Sequence, residues 1–75
     1  MLIFDYSKLI GKIREMGFTQ DTLAERVGIG ASTMNLKLCN KRLFKQDEIL
    51  RIVEALKIAI ADIPIYFFCL KTSEN

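Results

Sequence analysis

The chain has 75 residues, which allows one small domain and excludes most enzymes with two-lobed clefts. Apolar residues make up 51% and charged residues 27%, a globular composition that excludes intrinsic disorder. The net charge of +2 is uneven, because residues 1–46 carry eight bases and four acids while residues 47–75 carry three bases and five acids. The basic N-terminal part favours a polyanionic partner.

The first predicted helix begins at Asp5, which can act as its N-cap, and ends at Gly17, which can adopt a left-handed conformation. One face of this helix carries apolar residues at helical spacing: Tyr6, Leu9, Ile13 and Met16. Arg14 and Glu15 belong to its solvated face. We expect the apolar face to join the core.

Two short helices follow. Thr19 is the N-cap candidate of the second helix, which ends at Gly28, and the third runs from Ala31 to Cys39 and stops at Asn40. Their inward positions are apolar: Leu23, Ala24, Val27, Ile29, Met34 and Leu38. Of these, Ala24 is small enough to allow a close helix crossing, and Gly28 supplies the positive φ of a tight connection.

The fourth predicted helix starts at Asp47 and Glu48, where acids are favourable. Its apolar stripe is Ile49, Ile52, Val53 and Leu56. A short fifth helix begins at about Ile60, because Pro64 is tolerated only in the first turn of a helix or outside one. We therefore expect one domain over residues 1–71 and a frayed tail over residues 72–75.

Residues Gln20 to Arg42 form the pattern of a helix-turn-helix, since two short helices are joined by Val27-Gly28-Ile29. The residues Thr19-Gln20, Leu23-Ala24, Gly28-Ile29 and Asn40-Lys41-Arg42 resemble those of the lambda-repressor/Cro-like helix-turn-helix family, and the short form is similar to small phage Cro-type regulators. The resemblance implies an all-α, five-helix, lambda-repressor-like domain that binds operator DNA, usually as a dimer.

The chain also departs from that family's pattern. Lys37 stands where the family usually has an apolar or large core residue, Cys39 where a phosphate-contacting Asn is common, and Asn40 where Gly is common. Positions at which the family often has Ser or Thr caps carry other residues: Gly30, Lys45 and Ala59. We expect the later helices to start less firmly than in typical members.

In the docking geometry of this motif, the N-terminal end of the second motif helix enters the major groove. Its outward residues are the predicted base contacts: Ala31, Ser32, Asn35 and Leu36. Polar or basic residues around the same face are the predicted phosphate contacts: Gln20, Thr33, Lys37, Lys41, Arg42 and Lys45. The alternative for each residue is an ordinary solvated surface position.

The C-terminal segment has more apolar bulk than one short helix can bury against a small core. Exposed apolar surface is typical of an interface, and we predict a homodimer interface at Ile65, Tyr66, Phe68 and Leu70. The alternative is that this segment closes the monomer's own core, a role that suits Phe67 or Phe68.

The chain has no histidine, and its two cysteines, Cys39 and Cys69, lie thirty residues apart. We therefore expect no metal site, disulfide framework or cofactor, and we interpret both thiols as small buried hydrophobic residues. The apolar runs are far shorter than the roughly 20 residues of a membrane span, and no export leader is apparent. We expect a cytoplasmic protein without a membrane partner.

These features predict a sequence-specific DNA-binding transcriptional regulator, a phage Cro-like repressor that occupies its operator as a dimer and binds no small-molecule substrate. A second hypothesis keeps the helix-turn-helix only as the scaffold of a protein-interaction module, such as an antitoxin or a phage accessory protein. We expect a basic face on the third helix, and this favours the first hypothesis; an acidic face would favour the second. An enzyme is disfavoured, because no histidine and no nucleophile paired with a base is present.

Overall fold

The computed structural model describes residues 3–71, and its helices follow the predicted order. They are α1 (Ser7–Glu15), α2 (Gln20–Val27), α3 (Ala31–Leu38), α4 (Gln46–Leu56) and α5 (Ile63–Phe67), with a 3-10 turn at Ile60–Asp62. The all-helical prediction is confirmed for these residues, which form no β-strand. The predicted frayed tail lies outside the described residues.

Side-chain oxygens accept hydrogen bonds from backbone amides at the starts of α1 and α2. Thr19 Oγ1 accepts a hydrogen bond from Thr22 N–H at 3.1 Å, and Thr22 Oγ1 accepts one from Thr19 N–H at 2.8 Å. At α1 the N-cap is Tyr6 rather than Asp5. Asp5 Oδ1 nevertheless accepts a hydrogen bond from Ser7 N–H at 2.9 Å, so it still satisfies an amide of the first turn.

Residues with positive φ follow the first four helices. The predicted stops are confirmed, with φ angles of 85° at Gly17, 75° at Gly28 and 64° at Asn40. Lys57 ends α4 with a φ of 57°, which the sequence did not indicate. Left-handed residues let the chain turn back at once, so successive helices can pack against one another.

The core is formed where α2 packs against α1, α3 and α4, while α5 covers α1. Every predicted inward residue is buried except Met16, which is half-buried and packs on the core. The buried set includes Leu9, Ile13, Leu23, Ala24, Val27, Ile29, Met34, Leu38, Ile49, Ile52, Val53 and Leu56. The sequence left open whether Phe67 or Phe68 closes the core. Phe67, which is 2% exposed, does so, and Phe68 is 54% exposed.

The two ends of the described chain meet in a terminal ribbon, which we define as residues 3–5 and 69–71. An antiparallel bridge pairs Phe4 with Leu70, with Asp5 N–H donating to the Cys69 carbonyl at 2.6 Å and Lys71 N–H donating to the Ile3 carbonyl at 2.8 Å. On the other side of Phe4, the Asn40 side chain accepts from Phe4 N–H at 2.7 Å and donates to the Phe4 carbonyl at 2.9 Å. The ribbon was not predicted.

The cysteines are less buried than expected. Cys39 is exposed and Cys69 half-buried, and both are free thiols. The prediction of two buried residues is wrong: Cys39 lies one position beyond the end of α3, and Cys69 lies in the ribbon. Within residues 3–71, no helix is long and apolar enough to cross a membrane, and no three potential metal ligands cluster.

Candidate nucleic-acid interface

The α2–α3 pair is held in one arrangement by a close crossing and a short connection. Ala24 is 1% exposed at the crossing, and Met34 of α3 is fully buried. After Gly28, the N–H of Ile29 donates to the Ala24 carbonyl at 2.9 Å, and this bond closes the end of α2. The exposed side of α3 therefore lies next to the start of α2.

That exposed side brings together the residues that the sequence proposed for base contacts. Ala31, Ser32 and Asn35 are exposed and Leu36 is half-buried. With Gln20 and Asp21 from the start of α2, these four residues line one shallow, open concavity. Gln20, a predicted phosphate contact, is thus adjacent to the predicted base contacts.

Asp21 was not part of the predicted site. It is exposed and contributes a negative charge to the edge of the concavity. Its position directly after Gln20, at the start of an eight-residue helix, could have indicated this, because the first turns of α2 and the outer face of α3 are neighbours in the motif.

The expectation of a basic face on the third helix is wrong, because the exposed bases of the predicted site lie in the connection between α3 and α4. Lys41, Arg42 and Lys45 are all exposed there, and Thr33 on α3 is half-buried. The outward residues of α3 are uncharged. The candidate interface therefore combines a neutral helix face with a basic segment, which we define as residues 41–45.

Lys37 does not belong to this surface. Its side chain is buried, and Lys37 Nζ forms an ion pair and hydrogen bond with Glu48 Oε1. The expectation that Lys37 contacts phosphate is corrected by this burial. Position 37 follows Met34 by three residues, so it falls on the inner side of α3 with the buried residues Met34 and Leu38.

Glu48 was seen in the sequence only as a helix-start residue, but it is the partner that makes the buried lysine tolerable. Burial raises the pKa of Glu48, and the hydrogen bonds from Lys37 and from Lys45 N–H, with the charges of both lysines, outweigh that effect and lower the pKa below its ordinary value. The distance from Lys45 N–H to Glu48 Oε1 is 2.8 Å. The carboxylate is therefore ionised at neutral pH and contacts two elements.

A separate apolar surface lies around the C-terminal segment. Three of the four predicted interface residues are exposed, with Ile65 at 46%, Phe68 at 54% and Leu70 at 47%, and Tyr66 is half-buried. Leu43 of the basic segment is 72% exposed and lines an apolar groove with Phe68. The other lining residues are Phe4, Tyr6, Phe44, Ile49 and Phe67. Leu43 was missed because residues 41–45 have no periodicity that assigns a side chain to one face.

A family model described as "Protein of unknown function (DUF739)" matches residues 2–69. Among solved structures, the chain is similar to the solution structure of the modulator of repression (MOR) of the temperate bacteriophage TP901-1 from Lactococcus lactis. The two share 46% identity with a TM-score of 0.76, over 87% of this chain and 88% of that chain. No curated protein matches the chain. This structural neighbour is a phage regulatory protein, and the similarity fits a phage regulatory role for the present chain.

Proposed function

The chain belongs to the DUF739 family, and we propose that it is a phage transcriptional regulator that binds operator DNA through α2 and α3. In this proposal the two helices act as a helix-turn-helix of the lambda-repressor/Cro-like type. The observation that carries it is the exposed concavity formed by the start of α2 and the outer face of α3, together with three exposed bases in the connection that follows α3.

The proposed contacts divide into two kinds. α3 lies in the major groove, where Ser32 and Asn35 hydrogen-bond to base edges, and Ala31 and Leu36 touch thymine methyl groups. Phosphate contacts come from Gln20, Thr33, Lys41, Arg42 and Lys45. Because Lys37 is neutralised inside the protein, three basic contacts per chain remain, and they predict a slope of log affinity against log salt of about −3 per bound chain.

We propose that two chains bind one operator, since a two-fold protein matches two half-sites. Their contact is the apolar surface of Ile65, Tyr66, Phe68 and Leu70, extended by Leu43. The support for this proposal is the exposure of large apolar side chains in a small domain. Control of such a regulator would come from concentration, affinity and dimerisation, and no catalytic step is proposed.

A second candidate function is a protein-interaction module, as in an antitoxin or phage accessory protein. Two observations favour it: the outer face of α3 is uncharged, and Asp21 adds a negative charge at its edge. The neighbour's description as a modulator of repression is also compatible with a protein that acts on a repressor. In this case α3 would contact a protein surface instead of a DNA groove.

Selection of bound sequences from a random duplex pool distinguishes the two functions. A DNA-binding regulator should enrich one short sequence, arranged as a palindrome if two chains bind. An unenriched pool, with no salt-dependent binding of the parent protein to any duplex, would contradict the proposal and favour the interaction module.

Two double variants then test the division of contacts. Ser32→Ala/Asn35→Ala should lower affinity for the selected operator by about tenfold or more and leave binding to random duplex unchanged. Lys41→Ala/Arg42→Ala should weaken binding to all sequences about equally and reduce the salt slope by about two. A changed base preference in the second variant would show that the proposed orientation on DNA is wrong.

A further inference from the structure

The buried pair of Lys37 and Glu48 is an unusual feature of so small a domain. Lys37 is 3% exposed and Glu48 is 7% exposed, and both residue types are rarely buried in proteins without a partner. Moving two charges out of water is costly, and apolar residues of similar volume often stabilise a protein as well or better. Stability alone therefore does not account for the pair.

The contacts of Glu48 indicate a role in connecting two parts of the structure. Glu48 Oε1 contacts Lys37 Nζ of α3 and also accepts the hydrogen bond from Lys45 N–H, at 2.8 Å, where α4 begins. One carboxylate oxygen thus connects the inner side of α3 with the last residue of the basic segment. Both contacts depend on the angle at which donor and acceptor meet, so they favour one arrangement of the helices. Apolar side chains, in contrast, can pack stably in more than one arrangement.

α4 holds α2 in a comparable way. Arg51 lies three residues after Glu48 and donates from Nη1 to the Val27 carbonyl at the end of α2, at 2.7 Å. Arg51 is in turn paired with Asp47, at 3.1 Å. Polar side chains of α4 therefore reach α2 and α3 separately, through Arg51 and through Glu48.

We propose that Glu48 is a positioning residue for the candidate nucleic-acid interface. Through Lys37 it fixes the rotation of α3 about its axis, and through Lys45 N–H it fixes the end of the basic segment. The outer face of α3 and the basic side chains thereby keep one relative orientation, in which both can contact the same duplex. This inference rests on the proposed DNA binding for its functional consequence, but the orientation of α3 can be measured without DNA.

The test compares the parent with the variant Lys37→Met/Glu48→Gln. Both new residues are uncharged and of similar length, and Gln retains an oxygen that can accept from Lys45 N–H. The matched control is Lys12→Met/Glu15→Gln, which removes the same charges from the more exposed pair on α1, where Nζ and Oε2 are 3.5 Å apart. Residual dipolar couplings of backbone amides report the orientation of α3 relative to α4.

We expect the Lys37→Met/Glu48→Gln variant to remain folded, with changed or averaged couplings for α3 and unchanged couplings for α2. Its affinity for the selected operator should fall by about tenfold or more, since one misplaced bidentate base contact costs that much, while affinity for random duplex should stay within about twofold. The control should match the parent in both measurements. Parental couplings for α3 in the Lys37→Met/Glu48→Gln variant would overturn the inference, even if its operator affinity fell.

A second variant covers the case in which the double variant does not fold. Glu48→Asp keeps the charge and shortens the side chain by one methylene, which draws the carboxylate away from Lys37 Nζ, so we expect α3 to rotate when the pair forms. Its α3 couplings should change, and its operator preference should fall more than its binding to random duplex. If the couplings stay parental, the inference is overturned. If the parent protein binds no duplex, the proposed function fails, and the couplings still decide whether Glu48 orients α3.

Discussion

The α2–α3 pair and the terminal ribbon are stabilised in opposite ways. The helix pair joins neighbours in the chain through apolar packing, with Leu23, Ala24 and Met34 at most 1% exposed. The ribbon joins the two ends of the described chain through backbone hydrogen bonds, and Ile3 and Leu70 remain about half exposed. The helix pair should therefore be sensitive to side-chain volume, and the ribbon to the loss of individual hydrogen bonds.

Asn40 lies where these two regions meet. Its positive φ allows the chain to leave α3, and its amide pairs with both backbone groups of Phe4. A glycine could supply the turn but not the pairing. The asparagine side chain therefore links the segment after α3 to the ribbon.

The largest effect is expected from a change of volume in the helix pair. Ala24→Leu adds three carbons at a buried crossing, and such overpacking costs about 1–3 kcal/mol of unfolding free energy. Because about 1 kcal/mol corresponds to roughly 4–8 °C in a domain of this size, thermal unfolding should show a clear fall in Tm, with loss of DNA binding. Glu25→Leu is the matched control, since Glu25 is exposed on the same helix and should tolerate the change. An unchanged Tm for Ala24→Leu would contradict the close crossing.

A smaller and more local effect is expected in the ribbon. Asn40→Gly keeps the backbone able to adopt positive φ but removes both hydrogen bonds to Phe4, at a cost of about 1–2 kcal/mol. Amide hydrogen exchange should accelerate at Phe4, Asp5 and Lys71 well before it does in α2, whose amides serve as the internal control. Equal acceleration in both regions would show that the ribbon and the helix pair open as one unit.

The smallest effect is expected at the start of α2. Thr19→Ala removes the acceptor for Thr22 N–H and should lower the free energy of unfolding by about 1 kcal/mol. Thr19→Ser retains a hydroxyl and should stay close to the parent. Denaturant titrations of the three proteins decide the point, and equal midpoints for the Ala and Ser variants would mean that the cap contributes nothing measurable.

The sequence predicted the helix pair well because its determinants are local. Thr19 and Gly28 act on backbone groups within a few residues, and the apolar periodicity assigns Leu23, Val27 and Met34 to one side without knowledge of any partner. The ribbon could not be predicted in this way. Nothing near Phe4 indicates that its backbone pairs with Leu70 and with the Asn40 side chain.

The candidate site was predicted in part for the same reason. Spacing from Met34 places Ser32 and Asn35 outside, and the structure has both exposed. The same spacing places Lys37 on the inner side of α3, whereas its charge favours an exposed position. The structure resolves this conflict, because Glu48, eleven residues later in the chain, pairs with the buried lysine. Leu43 lies in a segment without periodicity, so its exposure beside Phe68 depends on the packing of the whole chain.

By itself the sequence determined the number and order of the helices, most of their ends and nearly all of the core, because capping and periodicity act over one or two turns. Only the tertiary structure decided which polar groups leave the surface and which chain ends meet. Lys37 is buried because an ionised carboxylate from α4 meets it there, and Phe4 is paired because Asn40 and Leu70 approach it from either side. Such contacts depend on residues distant in the chain, whose approach the local pattern does not encode.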